Sequence, residues 1–199
     1  MTTSLNVPLA TDAGRRLPAP GELELVRQFV NTYDVETAWD ELTDPTALSA
    51  WLAERGLLPA GQRLTDRDLA AAQAFRDALR AVLATNAGHG DGPAARHSLD
   101  HLASHYPLRV RINGTARLEP GRGRGVAPAM GRLLATMYDA MATGTWVRLK
   151  ACTNDECQWA FYDHSRNRSG AWCTMAVCGN RMKGRAFRRR HAEDDEAAG

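Results

Sequence analysis

The sequence predicts an α+β protein: a mainly helical N-terminal domain with one β-hairpin, followed by a small treble-clef-like module that ends in a basic helix. Three observations carry this. Apolar side chains recur at helical spacing through most of the first 144 residues, they alternate strictly over one short stretch near residue 110, and all four cysteines fall between 152 and 178. A chain of 199 residues is long enough for one sizeable core, or for a medium and a small one.

Residues 1–20 contain Pro8, Pro18 and Pro20 without periodicity and read as a flexible arm ahead of a body over 21–144. A helix is expected from about Glu22, with Leu25, Phe29 and Val30 inward. Thr43-Asp44-Pro45 has the form of a helix start, a capping side chain followed by proline in the first turn; Leu48, Trp51 and Leu52 then share a face. Thr65 with Asp68 reads as a capping pair, and Leu69, Ala72, Leu79, Val82 and Leu83 behind it repeat every three to four residues. In LRVRINGTARLE, Leu108 to Glu119, apolar residues alternate with arginine about Asn113-Gly114, a pair suited to a tight hairpin turn. After the glycine-rich GRGRG, Met130, Leu133, Leu134, Met137 and Met141 mark a further buried helix that stops at Gly144. Trp39 and Trp51 read as core or rim residues of this body.

Charge is segregated. Residues 1–149 carry 16 basic and 16 acidic side chains, residues 150–191 nine basic and three acidic, and the last eight residues four acidic and none basic. A neutral body therefore precedes a basic module (145–191) and an acidic tail (192–199), an asymmetry that favours an anionic partner. No apolar run approaches the roughly 18 residues that span a bilayer, and the N-terminus lacks the basic-then-apolar pattern of a signal peptide. The expected location is cytoplasmic, with no membrane partner.

The cysteines form two C-x4-C pairs, Cys152/Cys157 and Cys173/Cys178. In a reducing compartment such pairs point to a metal rather than to disulfides or reactive thiols. Four thiolates complete the tetrahedral sphere of one structural Zn2+ per chain and leave no position open for catalysis; His164 is a weaker candidate ligand. TWVRLK and QWAFYD flank the first pair with β-formers, so that pair should cap a hairpin, and the second pair leads into a helix over Asn180–Arg190.

The run CTNDECQWAFYDHSRNRSGAWCTMAVCGNR resembles the CGNR zinc-finger family, whose name is spelled by Cys178-Gly179-Asn180-Arg181. The likeness extends through Phe161-Tyr162-Asp163, Ser165-Arg166 and Trp172-Cys173. It departs at Ser169-Gly170-Ala171, where more arginine is expected in relatives. NTYDVETAWDELTDPTALSAWLAERGLL is similar, more loosely, to the opening of the ABATE domain that often precedes this finger and is held to be a stress-related sensing or regulatory region. The resemblance implies a bacterial transcription regulator, with DNA as partner and an N-terminal domain open to a small-molecule effector or to homodimerisation.

The helix itself points the same way. At 100° per residue, Arg181, Arg185, Arg188 and Arg189 fall on one arc, with Lys183 and Arg190 flanking and Arg166 and Arg168 in the preceding loop. Arginine binds phosphate, or guanine in a bidentate way. The alternatives are a solvated basic face, one paired with the tail Glu193 to Glu196, or arginines serving the net −2 of a zinc tetrathiolate, Arg181 above all. His97, His101 and His105 read as a solvated helix face, GRGRG lacks the context of a phosphate loop, and no nucleophile with a base is arranged. The expected function is a DNA-binding regulator and not an enzyme; the alternative is a zinc-stabilised protein- or RNA-interaction module without sequence-specific DNA binding.

Overall fold

The computed structural model describes residues 17–197, with side chains described as far as Arg189. Most of the expected arm, the side chain of Arg190 and the side chains of the acidic tail lie outside the described residues. Helix α1 (Leu23–Val30) buries Leu23, Val26, Phe29 and Val30, while Leu25 sits half-buried at its flank. Two strands of two residues follow, β1 (Tyr33–Asp34) and β2 (Trp39–Asp40), paired antiparallel with Tyr33 opposite Asp40. Helix α2 (Pro45–Glu54) starts where Asp44 accepts from the amides of Thr46 and Ala47. Helix α3 (Asp66–Asn86) opens on a reciprocal Thr65–Asp68 capping box, which satisfies amides that the first turn leaves without partners.

Helix α4 (Gly92–Ala103) is capped by Asp91. Strands β3 (Leu108–Ile112) and β4 (Ala116–Pro120) pair antiparallel about Asn113-Gly114-Thr115, and Gly114 takes the left-handed backbone that the turn requires. Helix α5 (Ala127–Ala142) buries Met130, Leu133 and Leu134; Met141, in its last turn, runs past the core and is exposed. After a 3-10 turn at Trp146–Arg148 come β5 (Leu149–Ala151) and β6 (Ala160–Tyr162), antiparallel with Lys150 opposite Phe161. A π-helical turn at Met175–Gly179 leads into α6 (Asn180–Ala197). Among the described residues no helix is long and apolar enough to cross a membrane.

One apolar core lies among α1 to α5, with Phe29 set against Trp51 (5.7 Å) and Phe75 (6.4 Å). It continues past residue 144, because Leu149, Ala151, Ala160 and Tyr162 belong to it. A second, smaller cluster holds the four cysteines with Phe161, flanked by Trp159 and Trp172. Side chains alternate faces along a strand, so on β6 Ala160 and Tyr162 enter the body while Phe161 enters the cysteine cluster. The β5–β6 hairpin is thus a slab buried on both sides.

The free edge of β6 is paired by a side chain. Asn31 accepts from the Ala160 amide at 2.7 Å and donates to its carbonyl at 2.9 Å, standing in for a third strand. Asn86, at the end of α3, donates to the carbonyls of Trp146 and Leu149. Two buried arginines of α3 fix the segment that carries Asn31. Arg80 donates to the carbonyls of Val30 and Tyr33 at 2.6 and 2.7 Å, and Arg76 forks onto both oxygens of Asp40.

Replacing Asn31 by Ala leaves a buried amide and a buried carbonyl unpaired. Each such loss costs about 1–3 kcal/mol, so Asn31→Ala is expected to destabilise by about 2–6 kcal/mol. Calorimetry should read this as a fall in Tm of at least roughly 4 °C for a chain of this size. An unchanged Tm would remove the amide from this role.

Candidate metal centre and basic helix

The first cysteine pair sits where the β5–β6 hairpin closes. Cys152 donates its amide to Trp159, while Cys157 and Gln158 both donate to the Asn154 carbonyl, and Gln158 takes a left-handed backbone to complete the turn. The second pair is set by Thr174, whose hydroxyl accepts from the Val177 amide and whose carbonyl accepts from Gly179. Gly179 is closely approached: a side chain there would meet the Met175 sulfur at 2.5 Å and the Trp172 ring at 3.3 Å, so at least the methionine would have to shift.

All four sulfurs are buried and lie within 4.8 Å of one another. Ligands at about 2.3 Å around a tetrahedral ion stand about 3.8 Å apart; the Cys157–Cys173 and Cys173–Cys178 separations are both 3.6 Å. Disulfide sulfurs would be about 2.05 Å apart, and the four cysteines are free thiols. Hydrogen bonds from Cys157 and then Cys173 push the Cys152 thiol down, while the Cys157 and Cys173 thiols are pushed up, first by their bonds with Cys152. Sulfurs packed this closely cannot all ionise unaided, and a divalent cation resolves the conflict. The quartet fits one structural zinc. Asn154, fully buried, donates Nδ2 to the Cys178 sulfur at 3.8 Å, as outer-shell groups do at thiolate sites. His164 instead places Nε2 at 3.2 Å from the Pro18 carbonyl. Among the described residues, the cysteines are the one group of His, Cys, Asp and Glu side chains arranged to hold a metal.

The loop between the cysteine pairs is held by a buried ion pair that the sequence reading did not single out. Lys150 Nζ lies 2.9 Å from Asp163 and also donates to the carbonyls of Arg168 and Gly170. Asp163 accepts from the amides of Ser165 and Gly170 as well. Burial works against its charge, but hydrogen bonds from Ser165 and Lys150, and from the Ser165 and Gly170 amides, hold its carboxyl well below the usual range. Any side chain at 170 would meet that carboxylate at 2.8 Å. Glycine at position 170 therefore suits this buttress. Arg166 and Arg168 are exposed on the loop so formed.

On α6, Arg181, Lys183, Arg185, Arg188 and Arg189 are exposed, whereas Met182, Gly184 and Ala186 are half-buried. Two of the arginines have acidic partners that the sequence did not reveal. Arg181 Nη1 lies 2.5 Å from Glu36, in the β1–β2 turn of the body, and Arg185 Nη2 lies 2.5 Å from Glu156, between the first two cysteines. Glu36 keeps the Arg181 guanidinium charged still more firmly, with a lesser contribution from the sulfurs of Cys178 and Cys157. His101 and His105 stack edge to face at 5.5 Å, with the His105 Nδ1 against the His101 and Leu102 carbonyls.

Comparison with known families finds the CGNR zinc finger over residues 148–191. It also finds ABATE, described as a putative stress-induced transcription regulator, over residues 23–144, more than half of the chain. Among curated proteins none matches significantly.

Removing one member of a buried, hydrogen-bonded ion pair costs about 3–5 kcal/mol, and Asp163→Asn is expected to lose that much stability to urea at pH 7. Because the folded carboxyl titrates below its unfolded value of about 3.9, its contribution is complete above about pH 4 and is lost as pH falls further. The stability difference between wild type and Asp163→Asn should therefore shrink below about pH 4. A constant difference across that range would contradict the assignment.

Proposed function

The chain belongs to the ABATE family, and from that premise we propose that it is a bacterial, cytoplasmic transcription regulator that binds DNA through its C-terminal zinc finger. The observation that carries the reading is the exposed basic face of α6, a helix that begins two residues after the ligand Cys178. Zinc held by the four cysteines would fix the start of the helix, so that its arginines would be offered as an ordered array, which lowers the entropy lost on binding. Arg188, Arg189 and Arg185 are assigned to DNA, Lys183 and Arg190 flank them, and Arg166 and Arg168 supply backbone contacts from the adjacent loop. Half or more of protein–DNA hydrogen bonds go to phosphate and sugar, so most of these contacts position the helix and a few read sequence.

Arg181 and Arg185 enter this array already paired. Exposed ion pairs are weak, and a phosphate can displace Glu36 or Glu156, but the exchange reduces the gain from each contact. The N-terminal domain thereby holds an acidic hand on the finger through Glu36. A groove of about 610 Å³ among α3, α4 and α5, lined by Trp146, Met137, Leu99 and Arg96 among others, is assigned to a small-molecule effector. Its size falls within the usual range for ligand sites. We assign no catalysis to either domain. The second reading, a zinc-built platform for protein or RNA, is favoured by the acidic partners already on the arginines.

Selection from a random DNA pool, followed by titration of the enriched duplex across salt concentrations, tests the proposal. Arg188→Ala should weaken binding about fivefold to a hundredfold, with either a shallower salt dependence or lost preference at one base position. Glu36→Gln, by freeing Arg181 beforehand, should strengthen binding about two- to fivefold. No enrichment and no binding at low salt would shift the assignment to the platform reading.

A further inference from the structure

The β3–β4 hairpin has no part in the reading above. Its two faces differ sharply. Across the ladder, Leu108, Val110 and Ile112 stand opposite Pro120, Leu118 and Ala116, while Arg109 and Arg111 stand opposite Glu119 and Arg117. At its base, Leu108, Leu118 and Pro120 are half-buried, with Leu108 packed on the body core. Towards the tip the apolar face continues without cover from any described residue: Val110 is 64% exposed and Ile112 80%. The opposite face is basic. With Arg122 and Arg124 in the glycine loop that follows, residues 108–124 hold five arginines and one acid, Glu119. That glutamate lies 3.1 Å from Arg109 and 3.4 Å from Arg111.

Arginine on an unpaired strand edge deters edge-to-edge aggregation, but that role does not explain uncovered valine and isoleucine beside it. Pairing with a second copy through the apolar faces would cover them, yet it would leave the arginine face without a partner. Duplex DNA suits both faces. A two-stranded ribbon fits the major groove, where apolar side chains meet thymine methyl groups while arginines reach phosphates.

We infer that the β3–β4 hairpin is a second DNA-binding element, a ribbon that places Val110 and Ile112 against base edges and Arg109, Arg111 and Arg117 on the phosphate backbone. The inference rests on DNA being the partner of α6. Glu119 restrains two of the arginines, as Glu36 restrains Arg181.

The test uses the full chain loaded with zinc and the duplex enriched by selection, with anisotropy titrations at several salt concentrations. Zinc content and Tm are checked for each variant. Arg111→Ala/Arg117→Ala should weaken binding about tenfold near physiological salt and flatten the slope of log K against log salt by about 2. Ile112→Thr should reduce the preference for the selected duplex over an unrelated one and leave the slope unchanged. Glu119→Gln, which removes no arginine, should strengthen binding about two- to fivefold. Wild-type affinity and slope in all three variants would overturn the inference while leaving α6 as the DNA element. A wild-type protein that binds no duplex would overturn both. An Ile112→Thr variant that turns a dimer into a monomer in sedimentation, with DNA binding intact, would assign the hairpin to self-association instead.

Discussion

The architecture depends on a strand pair that is buried on both faces. An isolated two-stranded hairpin is marginal in water, and β5–β6 has only three residues per strand. It persists because alternate side chains are claimed from opposite sides: Leu149, Ala151, Ala160 and Tyr162 by the helical core, Phe161 and Cys152 by the cysteine cluster. Its free edge is closed by the Asn31 amide, and its charged position, Lys150, is neutralised by Asp163. Every one of these claims fails if the strand register slips by one residue, because a one-residue slip exchanges the faces. The metal centre and the body therefore specify each other's geometry through a single thin layer.

That arrangement bears on how the finger works. A zinc tetrathiolate carries a formal −2 and draws nearby cations inward, which would disarm a nucleic-acid-binding face next to it. Here Asn154 donates to Cys178 without spending a charge. The first arginine after the ligands is taken up by Glu36 of the body and Arg185 by Glu156 of the first cysteine loop, while Lys183, Arg188 and Arg189 are exposed further along α6. The charge balance of the finger thus includes a residue more than a hundred positions away in sequence, and the family arrangement of ABATE followed by CGNR becomes a physical coupling rather than a tandem of separate parts.

Much of this was legible in the sequence. The Thr65–Asp68 cap, the Asp44-Pro45 helix start, the hairpin about Asn113-Gly114 and the two cysteine knuckles are local patterns, and each appears where its pattern stands. The long-range pairings were not legible. Nothing near Glu36 announces Arg181, and nothing near Asn31 announces Ala160, because a side chain that bridges distant segments leaves no periodicity. Arg76 and Arg80 were hidden for a different reason: they occupy core-facing positions of α3 where a periodic reading expects apolar residues, and only the carbonyls and the carboxylate they meet explain them. Strands of two or three residues, as in β1 and β2, are too short to show alternation. Met141 illustrates the opposite error, a correct helical phase that outruns the core.

The claim that metal centre and body share one structural layer is tested most directly by amide hydrogen exchange on zinc-loaded and zinc-stripped protein. Exchange should be compared over residues 149–162 and over residues 26–31, which flank the layer on its body side. Removal of zinc is expected to speed exchange in both segments together, because loss of the Phe161 face loosens β6 and with it the Asn31 pairing. Faster exchange confined to residues 149–191, with residues 26–31 unchanged, would contradict the account and leave the finger a separate appendage.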